Sequence, residues 1–199
     1  MAEHKPYWFL DKGAAEIRVT GDITGGGSDE YVIEFEEQAV WEESDGAVSP
    51  IRRADHGETA IDGILTGGST VLRVTMTGCY LNTSPWTDIT DQAIAAFTTG
   101  GEYSAASSEP RIFVGNSAGK SLSSKAYEVE VIPLEEGAPI ADVTKHRIIP
   151  TGAITVENSS ESFNQTDQRG LALVITALPT QETIGGTDYW IRWKTGDNT

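Results

Sequence analysis

Two short stretches constrain the fold more than anything else in the chain. In EYVIEFEE (30–37), Ile33 and Phe35 fall on one side of an extended backbone, and Val32, Glu34 and Glu36 fall on the other. KAYEVEVIP (125–133) repeats the pattern, with Tyr127, Val129 and Val131 opposed to Glu128 and Glu130. Successive side chains of a strand point to opposite faces, so a period of two predicts strands with one face in a core and one in water. Further runs rich in β-branched and aromatic residues lie at 16–20, 39–42, 59–65, 70–80, 111–114, 145–149, 153–157, 171–177 and 189–194, separated by Gly, Asn, Ser and Pro. LALVITAL (171–178) is almost wholly apolar, as a central strand would be.

Helical periodicity appears once. In SPWTDITDQAIAAFTTGG (84–101), Thr87 is a candidate N-cap, and Asp88 and Asp91 sit near the positive end of the helix dipole. Ile89, Ala93, Ala96 and Phe97 fall on one stripe, and Gly100 and Gly101 supply a stop. One short helix among about ten strands predicts a mainly β fold. The expected architecture is two packed antiparallel sheets, sandwich-like or barrel-like, with one flanking α-helix and long loops. Residues 1–199 are expected to form a single domain, because no linker separates two halves and no internal repeat occurs. Residues 1–12 read as an N-terminal arm carrying Tyr7, Trp8 and Phe9. The polar stretch of about 41–58, with Arg52 and Arg53 among acids, reads as a long loop.

Charge and cysteine content remove several classes of function. The net charge of −16 repels nucleic acid phosphates, which argues against a protein that grips DNA. The single Cys79 excludes an internal disulfide framework and a cysteine-rich zinc site. No apolar run approaches the roughly 18–20 residues that cross a bilayer, and the N-terminus lacks the pattern of a secretory signal. Synthesis in the cytoplasm is the expectation.

Chemical motifs are few. GNSAG (Gly115–Gly119) fits the G-x-S-x-G turn that presents a serine nucleophile, and Asp142 and His146 follow Ser117 in hydrolase order. The turn should lead into a helix, whereas KSLSSKAYEVEV enters a strand, so a serine hydrolase is the least favoured reading. GNSAGKS is one residue short of a phosphate-binding loop and lacks the following helix. A hairpin joining 111–114 to 125–132 explains the stretch more simply. Asp55, His56 and Glu58 crowd one loop without a second His or Cys to complete a zinc tetrahedron, and acidic pairs such as Glu135–Glu136 lack a calcium-loop frame. No catalytic, cofactor or metal site is therefore expected. Trp190 and Trp193 in DYWIRWK occupy opposite faces of a strand, which places at least one in the core.

The order of these parts resembles the major tail tube proteins of tailed bacteriophages. The likeness is carried by KHRIIPTGAITVENSSESFNQTDQRGLALVITALPT (145–180), a strand–turn–strand segment ending in an apolar strand and "ALP", and by the single helix after a long central strand. The resemblance implies a structural virion protein, not an enzyme, made in the host cytoplasm and located in the tail. It implies six subunits in a ring, a sheet from each lining a continuous channel, and stacking through N-terminal arms, C-terminal segments and the long loop. The implied partners are other copies of the chain, a tape-measure protein, terminator and baseplate proteins, and a sheath protein in tails that contract. DNA would pass without specific binding, and no membrane or cofactor is involved. On this reading Glu34, Glu36, Glu128 and Glu130 are candidates to face the channel, where like charge prevents adhesion. Tyr7, Trp8, Phe9, Arg52 and Arg53 are candidates for contacts between subunits. The alternatives are another phage β-sandwich protein, at the head–tail joint, tail tip or capsid surface, and a ligand-binding β-sandwich module.

Overall fold

The computed structural model describes residues 14–52, 60–98, 101–104, 111–114, 123, 126–157, 170–184 and 186–197. The fold is mainly β, as the alternation predicts. Its centre is an antiparallel sheet built from β1 (Ala15–Gly21), β2 (Asp29–Ser44), β5 (Ser69–Leu81), β9 (Ala126–Glu135), β11 (Arg147–Val156) and β12 (Leu171–Ala177). The strands run in the order β9–β1–β2–β5–β12–β11, and β11 pairs back onto β9. The sheet thus closes into a six-stranded barrel, which removes the free edges along the overlapping strands.

Closure follows from the alternation. Ile17 lies opposite both Ile33 and Val131, and Val19 opposite both Tyr31 and Val129. Across the barrel Leu173 meets Val74 and Ile175 meets Leu72 and Ile154. These side chains are buried, so the apolar face of every strand fills one interior. Gly152 is required there: a Cβ would press on Ile175 and Val129 at 3.1 Å. The almost wholly apolar segment is β12, central between β5 and β11 as expected.

Several strands are longer than their sequence pattern. The runs at 39–42 and 30–37 belong to one strand, β2, whose pairing with β5 shifts between Glu34 and Phe35 and again between Glu36 and Val40. The runs at 145–149 and 153–157 likewise merge into β11. Its register shifts between Ile149 and Gly152, around Pro150, which has no N–H to give a ladder. Residues Val143–Lys145 form a short 3-10 turn instead of strand. A two-residue hairpin through Glu136 and Gly137, both at positive φ, joins β9 to the short β10 (Ala138–Pro139).

The helix α1 (Thr90–Phe97) starts three residues later than the sequence suggests. Thr87 is not its cap: Thr87 and Asp88 form a short strand, β6 (Thr87–Asp88), on the end of β5. The cap position is Ile89, which has no capping side chain; Asp88 just before it accepts from the Thr90 N–H at 2.9 Å and the Thr90 hydroxyl at 2.6 Å. Ile89, Ala93 and Phe97 are buried as expected, and Ala95 is buried instead of Ala96, which is half-buried. Phe97 meets Tyr127 edge to face at 5.7 Å, so the helix covers one end of the barrel. Gly101 opens β7 (Gly101–Ser104) and not only a stop, and a Cβ there would strike the Ala95 carbonyl.

Three ribbons stand apart from the main sheet, each pairing only with itself among the described residues: β3 (Ala47–Arg52) with β4 (Ala60–Thr66), β7 with β8 (Arg111–Val114), and β13 (Thr180–Ile184) with β14 (Thr187–Ile191). Two expectations change here. The strand 111–114 pairs with 101–104 and not with 125–132, because β9 already has β1 on one side and β11 on the other. The polar stretch read as a loop of about 41–58 is strand over its described part: Trp41–Ser44 lie in β2 and Ala47–Arg52 form β3. The last element, β15 (Lys194–Thr195), lies on β11.

Candidate functional site

The outward face of β9, β1 and β2 concentrates the acidic residues singled out by alternation. One row across it reads Glu130, Arg18, Val32 and Tyr80, and the next reads Glu128, Thr20 and Glu30. Glu34 and Glu128 are exposed, whereas Glu130 is half-buried. Glu36 is in β2 opposite Thr75, and its side chain lies outside the described residues. The carboxylates therefore point away from the barrel interior, which apolar side chains fill. Any channel they line must lie between barrels.

That face is negative but not uniformly so. Arg18 contacts Glu16 and reaches Glu30 at 3.5 Å. Burial alone disfavours its charge, but the hydrogen bond to Glu16 and the charges of Glu16, Glu30 and Glu130 hold the guanidinium above its ordinary value. Tyr80 donates to Glu34 at 3.2 Å, and the carboxylate's charge and hydrogen bond raise the phenol. Tyr80 also leans on Trp86, which is 56% exposed, at 6.0 Å. The two ring systems and Glu34 make a mixed aromatic and acidic patch at the rim.

The barrel end away from α1 is closed differently. Arg147 lies over the rings of Trp41 and Trp193, 4.9 and 5.3 Å from their centroids, and the two indoles meet edge to face at 5.7 Å. Burial lowers the Arg147 guanidinium, and the charge of Glu43 works in the opposite direction. Trp193 is thus the packed member of the pair in DYWIRWK, and Trp190 on β14 is 73% exposed. Next to it Tyr189 is 49% exposed on the other face of the same ribbon. Arg73 bridges Glu42 on the neighbouring β2 at 3.2 Å and Glu157, just past the end of β11, reaching over the intervening β12.

Beyond its last described pair with β1 at Ile33, β2 continues to Ser44 with β5 as its only described partner. This overhang runs on into the β3–β4 ribbon in the same register, across Asp45–Gly46 and Gly67–Gly68. Val40, Trp41 and Glu42 lie opposite Arg73, Leu72 and Val71, which pair with β12 on their other side, so this part of β2 borders the barrel sheet; only from Glu43 and Thr70 onward, through the β3–β4 ribbon, is the segment a two-stranded arm among the described residues. A two-stranded ribbon is marginal alone in water, and so is a natural contact element.

Small-molecule features are slight. A shallow cleft of about 210 Å³ lies between Ile23–Gly25, Gln92, Ala95, Ala96, Gly101 and Tyr103. That is below the roughly 300 Å³ at which ligand pockets begin. Burial pushes the Cys79 thiol up to about 12, with the charge of Asp88 adding to it, so it is a packed side chain and a poor nucleophile. Ser117 and the rest of Gly115–Gly119 lie outside the described residues, as do Tyr7, Trp8, Phe9, Arg53, Asp55, His56 and Glu58. Arg52 ends β3, and its side chain is also outside them. Asp142 and His146 are on the β9–β11 connection, where Asp142 caps the 3-10 turn. Sequence reading missed the Arg147 stack, the His146–Glu130 contact and the exposed Trp86. Only Trp86, an aromatic in a Pro turn, left a signal that could have been noticed. Among the described residues no helix is long and apolar enough to cross a membrane. Compared with protein-family models, with curated proteins and with solved structures, the chain finds no match in any of the three.

Proposed function

We propose that this chain is a structural protein that works by self-association: a subunit of a phage tail tube, in which rings, six-membered by the sequence resemblance, stack around an acidic channel for DNA. The observation that carries the reading is the arm formed by the β2 overhang and the β3–β4 ribbon. Among the described residues it has no second strand partner on its outer side, beyond a barrel that is otherwise closed. Because the overlapping barrel strands have neighbours on both sides, copies would join through such overhangs and ribbons and not by opening the barrel. Glu34, Glu128 and Glu130 share the outward face of neighbouring strands, which suits a wall that must meet a polyanion without holding it. The tape-measure, terminator, baseplate and sheath partners, the virion location and the absence of an enzymatic role belong to the same proposal.

Negative-stain microscopy of the purified full chain tests it. Rings or tubes are expected, and dispersed single copies at high concentration would overturn it. A second reading is favoured by one observation, the exposed Trp86 leaning on half-buried Tyr80 beside Glu34, which a ligand-binding module or another virion β protein could use. Such a protein would stay monomeric or form a small closed oligomer. Ser117→Ala addresses the hydrolase alternative: assembly should be unchanged and no esterase turnover should be lost.

A further inference from the structure

His146 is buried, 6% exposed, at the point where the β9–β11 connection re-enters the barrel. Both ring nitrogens are occupied. Nε2 lies 2.8 Å from the Ile140 carbonyl oxygen, and Nδ1 lies 2.7 Å from Glu130 Oε1. A backbone carbonyl can only accept, so Nε2 carries a proton. A neutral ring protonated there would aim the lone pair of Nδ1 at a carboxylate lone pair at hydrogen-bond distance. The contact therefore exists only with one further proton between His146 and Glu130. We place that proton on the nitrogen, so that the ring donates at both ends.

The connection has little else to hold it. Glu136, Gly137, Ala138, Pro139, Ala141, Asp142, Thr144 and Lys145 are exposed. Its other anchors include the short β10 pairing, the Ile140 N–H to Pro133 bond at 3.0 Å, the Asp142 cap on Thr144, and the Lys145 N–H to Asp142 and His146 N–H to Val143 bonds at 3.0 Å within the 3-10 turn. The same connection supports the C-terminal segment: Gly196 sits so close to Val143 that a Cβ would collide with its carbonyl. The neighbouring charges are already engaged or turned away. Arg18, opposite Glu130 on β1, is paired with Glu16 and Glu30. Arg147 faces Trp41 and Trp193, Lys145 is exposed, and Lys194, opposite Ile148 on β15, is held by Glu182 at 2.6 Å.

We propose that His146 and Glu130 form a proton-dependent latch, which holds the 136–146 connection and the C-terminal segment resting on it only while the pair retains its shared proton. The sign follows directly. The closed form binds one proton more than the open form with a neutral ring and a carboxylate, so rising pH favours opening and falling pH favours closure. This inference is independent of the assembly proposal, because the latch lies within one copy.

Hydrogen exchange of the full chain, read by mass spectrometry between about pH 5.5 and about pH 9 and divided by the intrinsic exchange rate, tests the latch. Peptides covering 134–146 should lose protection by about tenfold or more at the alkaline end, while β5 and β12 do not change. In Glu130→Gln the side-chain amide can donate to Nδ1 of a neutral ring, so protection should persist and its pH dependence should vanish. Ring nitrogen resonances of the wild type provide a reading without any substitution: both nitrogens should be protonated while the connection is protected. Protection that does not vary with pH, an equal pH response in Glu130→Gln, or an unprotonated Nδ1 in the protected state would each overturn the proposal.

Discussion

The barrel and the arm that leaves it use the same backbone geometry for opposite purposes. In the barrel, Val19 has Tyr31 on one side and Val129 on the other, and its side chain is fully buried. In the β3–β4 and β13–β14 ribbons each strand has one partner, and β14 buries none of its five residues. Strand pairing alone therefore does not mark stability in this protein. Pairing on both sides around a filled interior does, and single-partner ladders are left free to meet something else.

The most demanding way to break this contrast is to excise the arm. Replacing residues 47–66 with a short turn between Gly46 and Gly67 should abolish rings or tubes in electron micrographs and leave the thermal midpoint of the barrel nearly unchanged. Loss of folding in that variant would place the arm in the core, and unaltered tubes would remove it from assembly. Next in size, Ile175→Ala should lower unfolding free energy by about 3 kcal/mol in denaturant titration, as burial in a closed core requires. Trp190→Ala, on the exposed ribbon, should move it by less than about 0.5 kcal/mol. Equal losses would show that ribbon and barrel melt as one unit.

Smaller effects sharpen the picture inside the barrel. The Tyr31 hydroxyl is buried without a hydrogen-bond partner among the described residues, so Tyr31→Phe should raise stability by about 1 kcal/mol in the same titration. The Cys79 thiol keeps its proton to about 12 in the barrel, against about 8.5 in an unfolded chain. Between those values the native state binds more protons, so the thiol makes stability fall with rising pH by up to about 1.4 kcal/mol per pH unit. Cys79→Ala should lack that portion of the alkaline slope. Smallest of all, Glu34→Gln should bring the Tyr80 phenol back down toward its ordinary range in an ultraviolet pH titration, because the carboxylate is the main cause of its rise.

Much of the barrel was legible because burial imposes a period of two. Tyr31–Glu36 and Tyr127–Val131 announced both their strands and the face that each turns outward. The arm was legible only in part: the runs at 39–42 and 59–65 fall in β2 and β4, whereas AVSPIR, with a Pro in its middle, reads as loop and is β3. The helix start was misread because Thr87 is by itself a good local cap, whereas the cap position is taken by Ile89. The choice is made by the pairing of Thr87 and Asp88 with Leu81 and Tyr80, which is not local. The partner of Arg111–Val114 was missed for the same reason. The His146–Glu130 contact was not legible because Glu130 is sixteen residues away and reaches His146 only after β9 and β11 have paired.

The seam of the barrel also sets a schedule for making the protein. β1 must wait for β9, whose pairing residues lie more than one hundred positions further along the chain. At bacterial translation speeds that interval is on the order of ten seconds, during which the β1–β2 hairpin emerges from the ribosome with one side unclaimed. For a chain that self-associates as proposed above, that interval is an opening to premature contact, and it ends at β9, with β10 to β15 still to be synthesised.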